Sequence, residues 1–170
     1  MIEVAITLSI LLTVLIGFSQ ALMRSMRASQ LNRETAVATN AARQMMSALQ
    51  AEDFDTLFAA NNSVAGDDPG GVTLRPAGFA VQGLEPRPGD PDGLCGEIIF
   101  PEVEVGGTSE LREDAQLPEL EMPRDLTGDG VRDSLDHSDD YRILPVIVRV
   151  DWIGRSGPGR VQFRTILSEF

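Results

Sequence analysis

From Val4 to Met23 the chain runs VAITLSILLTVLIGFSQALM, 20 consecutive residues without a charge. At about 1.5 Å of rise per residue this makes a helix of roughly 30 Å, the thickness of the hydrocarbon core of a bilayer. The run therefore reads as one membrane-spanning helix. Its polar members, Thr7, Ser9, Thr13 and Ser19, are small hydroxyls that can bond back to carbonyls one turn earlier, so they cost little within lipid. Two competing readings fit less well. A secretory signal would find a small-x-small cleavage site at Ser19-Gln20-Ala21, but Glu3 stands where a signal carries lysine or arginine, and the apolar run is longer than usual. A buried helix of a soluble protein would need a far larger core, because the helical pattern continues from Met26 to Leu57.

Just past the uncharged run stand Arg24, Arg27 and Arg33. Apolar residues then recur at Ala38, Ala41, Ala42, Met45, Met46, Leu49, Phe54, Leu57 and Phe58, steps that mark one face of a helix. No proline occurs before Pro69, and Asn61-Asn62 followed by Gly66 supplies a stop. The spacing predicts continuous helix from about Ile2 to about Ala60, roughly 90 Å at 1.5 Å per residue. Its first half is apolar all round and its second half amphipathic, so one half suits lipid or other helices and the other suits a folded domain.

Charge divides the chain at the same place. All 14 basic residues are arginine, against 26 acidic ones, for a net charge of −12. Residues 1–50 hold four arginines and two acids, a balance of +2, which leaves −14 for the rest. Nucleic acid is not an expected partner of so acidic a chain. One cysteine, Cys95, excludes an intrachain disulfide, and one histidine, His137, excludes sites that need two.

Met1-Ile2-Glu3-Val4, the uncharged helix and its arginine-flanked amphipathic continuation together resemble the start of a type IV pilin or type II secretion pseudopilin, over about residues 1–60. The resemblance implies a short basic leader ending in glycine, cleavage by a prepilin peptidase, and methylation of the new N-terminal residue. A phrase like Gly-Phe-Ser-Met-Ile-Glu is typical of the family; this sequence begins at what would be its methionine, so the leader, the cut site and the methylated residue are not within it. Glu3 matches the glutamate that this family carries shortly after the cut, with the implied role of pairing with the N-terminal amine of a neighbouring subunit during assembly. Read by itself, Glu3 is an acid favoured by the dipole at a helix N-terminus. Without a basic leader, Arg24 and Arg27 would hold the following domain in the cytoplasm; a leader reverses that and puts it in the periplasm.

Beyond the helix, residues 66–96 contain eight glycines and five prolines, which predicts turns around one or two short strands such as Val72–Arg75. Gly96–Phe100 reads as a strand, and the acidic, aperiodic stretch Pro101–Pro123 as mostly loop. Cys95 reads as a small buried residue. The clearest β signal is C-terminal: Val146, Val148, Val150 and Trp152 alternate with Ile147, Arg149 and Asp151, Ile153–Arg160 turns, and Val161, Phe163, Thr165 and Leu167 alternate again. This predicts a hairpin over residues 143–168 with one apolar face. Packed on the helix face from Ala38 to Phe58, it gives an α+β fold: a long N-terminal helix laid across a small antiparallel sheet. The pilin family has that architecture. The expected organisation is a membrane or filament-core helix over residues 1–30 and a periplasmic head over residues 31–170.

A second motif lies at Asp125–Asp136. Oxygen-bearing side chains fall at loop positions one, three, five, nine and twelve (Asp125, Thr127, Asp129, Asp133 and Asp136), Gly130 holds position six, and Val131 would lend its carbonyl at position seven. This is the spacing of an EF-hand-type calcium loop, in the variety that ends in aspartate and is found in dockerins. Thr127 departs from the usual Asp or Asn, and Pro123 stands against an entering helix. The competing reading is a solvated acidic turn, with His137 beside it as a surface residue.

No nucleophile–base pair, phosphate loop or histidine cluster suggests an enzyme. Two readings from different classes remain. The first is a structural, minor subunit of a pilus or pseudopilus, partnered by other subunits and the inner membrane. The second is a membrane-tethered calcium-binding or adhesion module that never polymerises.

Overall fold

The computed structural model describes residues 2–64 and 77–169. Helix α1 spans Ile2–Ala51, about 75 Å at 1.5 Å per residue. Within it Thr7, Thr13 and Ser19 donate to the carbonyls of Glu3, Ser9 and Leu15 at 2.8–2.9 Å, the back-bonding expected of hydroxyls in an apolar helix. From Ile2 to Met26 every large apolar side chain described is 49–78% exposed. Further along, Ala38, Ala42 and Leu49 are fully buried. The helix is long and apolar enough to cross a membrane.

The expected single helix to residue 60 is interrupted. Asp53 adopts an extended conformation (φ −67°, ψ 123°), and a second helix, α2, runs Phe54–Asn61. Tertiary contacts outweigh helical propensity at this point. The break turns Leu57 and Phe58 inward, where the Phe58 ring meets Phe100 edge-on at 5.6 Å. The Tyr141 hydroxyl fixes the turn by donating to the Phe54 carbonyl and accepting the Phe58 N–H.

Six strands follow: β1 Gly78–Phe79, β2 Gly96–Ile99, β3 Glu102–Val105, β4 Thr108–Leu111, β5 Ile143–Gly154 and β6 Gly157–Ser168. β1, β2, β5 and β6 form one antiparallel sheet in the order β1-β2-β5-β6, and β3 pairs with β4 apart from it. The expected strand at Val72–Arg75 lies outside the described residues. The long hairpin is present and tighter than expected. β5 continues to Gly154 and β6 resumes at Gly157, so only Arg155 and Ser156 turn instead of the whole Ile153–Arg160 stretch. Gly159 permits this extension: it pairs with Trp152, and a Cβ there would stand 2.3 Å from the indole.

The acidic stretch Pro101–Pro123 is mostly loop, as expected, but it opens with a short hairpin, β3–β4, that the aperiodic pattern did not show. Val103 and Val105 alternate with glutamates, and Gly106 and Gly107, at φ 63° and 92°, make a two-residue hairpin turn that residues with a Cβ resist. The core lies between α1 and the face of the sheet that carries Leu144, Val146, Val148, Val150 and Trp152, all at most 2% exposed. Arg43 of α1 stacks over Phe163, and Glu34 accepts the Trp152 indole N–H at 3.4 Å. The fold is α+β, a long helix against antiparallel sheet.

Candidate functional site

The strand β4 leads directly into Glu113, and the sequence from Asp125 to Asp140 folds back over it. Glu113 is 1% exposed. Its Oε1 accepts the N–H groups of Leu126 (2.6 Å) and Thr127 (3.2 Å) and the Thr127 hydroxyl (3.5 Å), and its Oε2 accepts the Asp133 N–H at 3.4 Å. A buried carboxylate is tolerated where its lone pairs meet donors, and here backbone amides supply them. The loop is thus organised around a residue outside it.

The six oxygen-bearing positions of the loop fall into three groups. Thr127 and Asp133 bond Glu113 directly, and Asp125 joins them through the Thr127 hydroxyl at 3.4 Å. The Asp125 carboxylate accepts the N–H groups of Gly128 (2.5 Å) and Gly130 (2.8 Å), and these bonds, led by Gly128, hold its pKa below the usual carboxylate value. Asp133 is lowered too, first by the Leu135 N–H and then by His137. Asp129 and Val131 form the exposed tip, with the Asp129 carboxylate accepting the Val131 N–H at 2.7 Å. Asp136 turns away: its Oδ1 accepts the N–H of Leu111 (3.0 Å) and both donors of Ser138, so it caps the end of β4.

His137 corrects the sequence reading, which made it a surface residue. It is 7% exposed, with Nε2 3.1 Å from Asp133 and Nδ1 2.9 Å from Asp140. Burial pulls its pKa down, but the bonds to Asp133 and Asp140 and the charge of Glu113 outweigh that, and the net shift is upward. One donor atom each from Glu113, Asp133 and His137 lies within 4.8 Å of the other two. Sequence reasoning missed Glu113, which lies in the charged run Arg112-Glu113-Asp114 where no periodicity singles it out. The offsets of His137 from Asp133 and Asp140, four and three residues, were the one available signal for its pairing.

The donors fit a hard cation in part. Asp125 Oδ1 accepts both the Gly128 N–H and the Thr127 hydroxyl, but Oδ2 accepts only the Gly130 N–H and retains a second lone pair, and Asp129 and Val131 are exposed. Asp136 Oδ1 is taken up by Leu111 and Ser138, whereas Glu113 Oε2 accepts only the long Asp133 N–H bond. Cys95 is 4% exposed, and burial raises its thiol pKa, which suits packing rather than nucleophilic chemistry. Glu3 lies exposed in the first turn of α1, on the opposite end of the molecule from this loop. Compared with known protein families, with curated proteins and with solved structures, the chain shows no significant match.

Proposed function

We propose that the chain is a structural subunit, of the minor kind, of a type IV pilus or a type II secretion pseudopilus. In this reading the first part of α1 sits in the bacterial inner membrane and then in the filament core. The head, from about residue 31, faces the periplasm. The observation that carries the reading is the division of one unbroken helix between two surroundings. Large apolar side chains are exposed from Ile2 to Met26, whereas Ala38, Ala42 and Leu49 belong to the core of the head. Unshielded apolar surface of that extent needs lipid or other helices around it. Glu3 then pairs with the N-terminal amine of a neighbouring subunit.

Replacing Glu3 with alanine tests this role. Insertion in the membrane should be unchanged, while recovery of the protein in sheared filaments, or in crosslinks to neighbouring subunits, should fall several-fold. Equal recovery of mutant and wild type would favour the second reading, a tethered module that does not polymerise.

The acidic loop gives that second reading its content and is compatible with the first. Under either, we propose that Asp125, Thr127, Asp129, Val131 and Asp133 hold one calcium ion, with Glu113 in the place that Asp136 vacates.

A further inference from the structure

We propose that the membrane-facing end of the head is a docking surface for anionic phospholipid headgroups, built from Arg24, Arg27 and Arg33 of α1 and Arg155 of the β5–β6 turn. The proposal rests on the reading of α1 as a membrane-spanning helix.

The direction of the hairpin sets the geometry. Glu34 meets Trp152 and lies against Gly154, and Arg155 lines a groove with Gln30 and Glu34. At the other end of the hairpin, Leu167 and Ser168 lie beside Leu49 and Glu52. β5 therefore points its turn back along α1 towards the uncharged run. A second connection reaches the same level: between α1 and Gln82–Gly83 a groove of about 770 Å³ extends down to Ser25 and Met26. The 12 residues of β5, about 36 Å at 3.3 Å each, separate this end from the acidic loop, whose Leu126 carbonyl receives the N–H of Ile143.

Charge follows the same axis. Arg24, Arg27, Arg33 and Arg155 are exposed and make no ion pair among the described residues. Of the other described arginines, Arg87, Arg112, Arg124, Arg149, Arg160 and Arg164 are ion-paired within the head, Arg43 stacks over Phe163, and Arg132 and Arg142 stand exposed singly at the loop end. The acids nearest the turn are Glu34, engaged by Trp152, and Glu85, beside Ile153. Asp151, next along β5, is held by Arg87, Arg149 and Arg160. If the hydrocarbon ends at Met23, Arg24 and Arg27 lie within about 6 Å of its edge, inside the headgroup layer. Arg33 starts about 15 Å from that edge, but helical side chains lean towards the N-terminus, here towards the membrane. A helix tilted by the usual ~20° lowers one side of the head, and Arg155 with it. Headgroup phosphates accept bidentate bonds from guanidinium, and each arginine near an anionic surface strengthens association about fivefold.

The test uses the full chain in vesicles of phosphatidylcholine, alone or mixed with phosphatidylglycerol. A fluorophore is placed at Ser156 through Ser156→Cys, and quenching by a headgroup-nitroxide lipid is measured; Cys95 is buried and stays unlabelled. Quenching should be stronger in the anionic vesicles and should fade in about 1 M salt, where the Debye length is ~3 Å. Arg155→Gln should lower the ratio of docked to undocked heads about fivefold, while Arg132→Gln in the distant loop should leave it unchanged. Equal quenching in both lipids, or no response to Arg155→Gln, would overturn the docking surface with the anchor intact. Loss of the chain from the vesicles in alkaline carbonate would overturn the spanning helix, and the surface with it.

Discussion

Tyr141 is the one tyrosine in the chain, and its hydroxyl joins α2 to the segment that enters β5. Burial is the main reason that its pKa is pushed up to about 12. Ultraviolet titration near 295 nm should therefore show a single tyrosinate transition close to pH 12 in the folded protein, moving to about 10 on unfolding. Because the folded-state pKa is the higher one, its contribution to stability is complete below about pH 10 and is lost as pH rises towards 12. Tyr141→Phe removes the bond to the Phe54 carbonyl and the contact with the Phe58 N–H, and should cost about 1–2 kcal/mol of unfolding free energy, read from the melting transition. Glu113 tests another residue-scale claim. Glu113→Ala strands the Leu126 and Thr127 amides and should cost about 1–3 kcal/mol. Glu113→Gln keeps an acceptor in place, so its stability without calcium should stay closer to wild type, while any calcium response should shrink because the charge is gone. A calcium response that survives Glu113→Gln unchanged would remove Glu113 from the ligand set.

Elements differ in how much of them the residues disclose. The β5–β6 hairpin is legible because alternation runs through Val146–Trp152 and again through Val161–Leu167, long enough to exceed chance. The α1 face from Ala38 to Leu49 is legible for the same reason at helical period. β3 and β4 escape because each offers only four residues, and their glutamates mask the valines; the Gly106-Gly107 pair was the clue. The break at Asp53 is set by Phe100 and Tyr141, which are distant in sequence, so no local pattern could give it. The acidic loop divides likewise. The bond from the Gly130 N–H to Asp125 is local to the loop, whereas the capture of Asp136 by Leu111 depends on how β4 ends. Calcium binding at such a loop is expected to be weak, with Kd of roughly 10⁻⁴–10⁻³ M, since no flanking helices shape it beforehand. Millimolar calcium should then add about 0.4–1.4 kcal/mol to stability. A melting midpoint that is the same in calcium and in chelator, for wild type and for Asp129→Ala, would reduce the loop to a solvated acidic turn.

At the scale of the whole molecule, the proposed membrane anchor sets two arguments about the side taken by the head against each other. Arg24 and Arg27 at the head-side end of the uncharged run favour retention on the cytoplasmic side when nothing basic lies at the other end. A basic leader of the kind implied by the resemblance to pilins would cancel that bias, and charges on long domains count for little in translocation. The composition of the head points the same way. Residues 51–170 carry ten arginines and 24 acids, and an acidic loop with millimolar calcium affinity gains an ion only in a compartment where calcium is free. The proposed lipid surface is neutral on this point, since anionic headgroups can face either compartment. We therefore expect a reporter fused after Phe170, expressed with its native upstream sequence, to be active only as a periplasmic enzyme. Removing the upstream basic residues should shift activity towards a cytoplasmic reporter, because Arg24 and Arg27 would then act unopposed. Cytoplasmic activity of the unaltered fusion would defeat both the orientation and assembly in a pilus or pseudopilus, whose subunits must present their heads outside the cytoplasm.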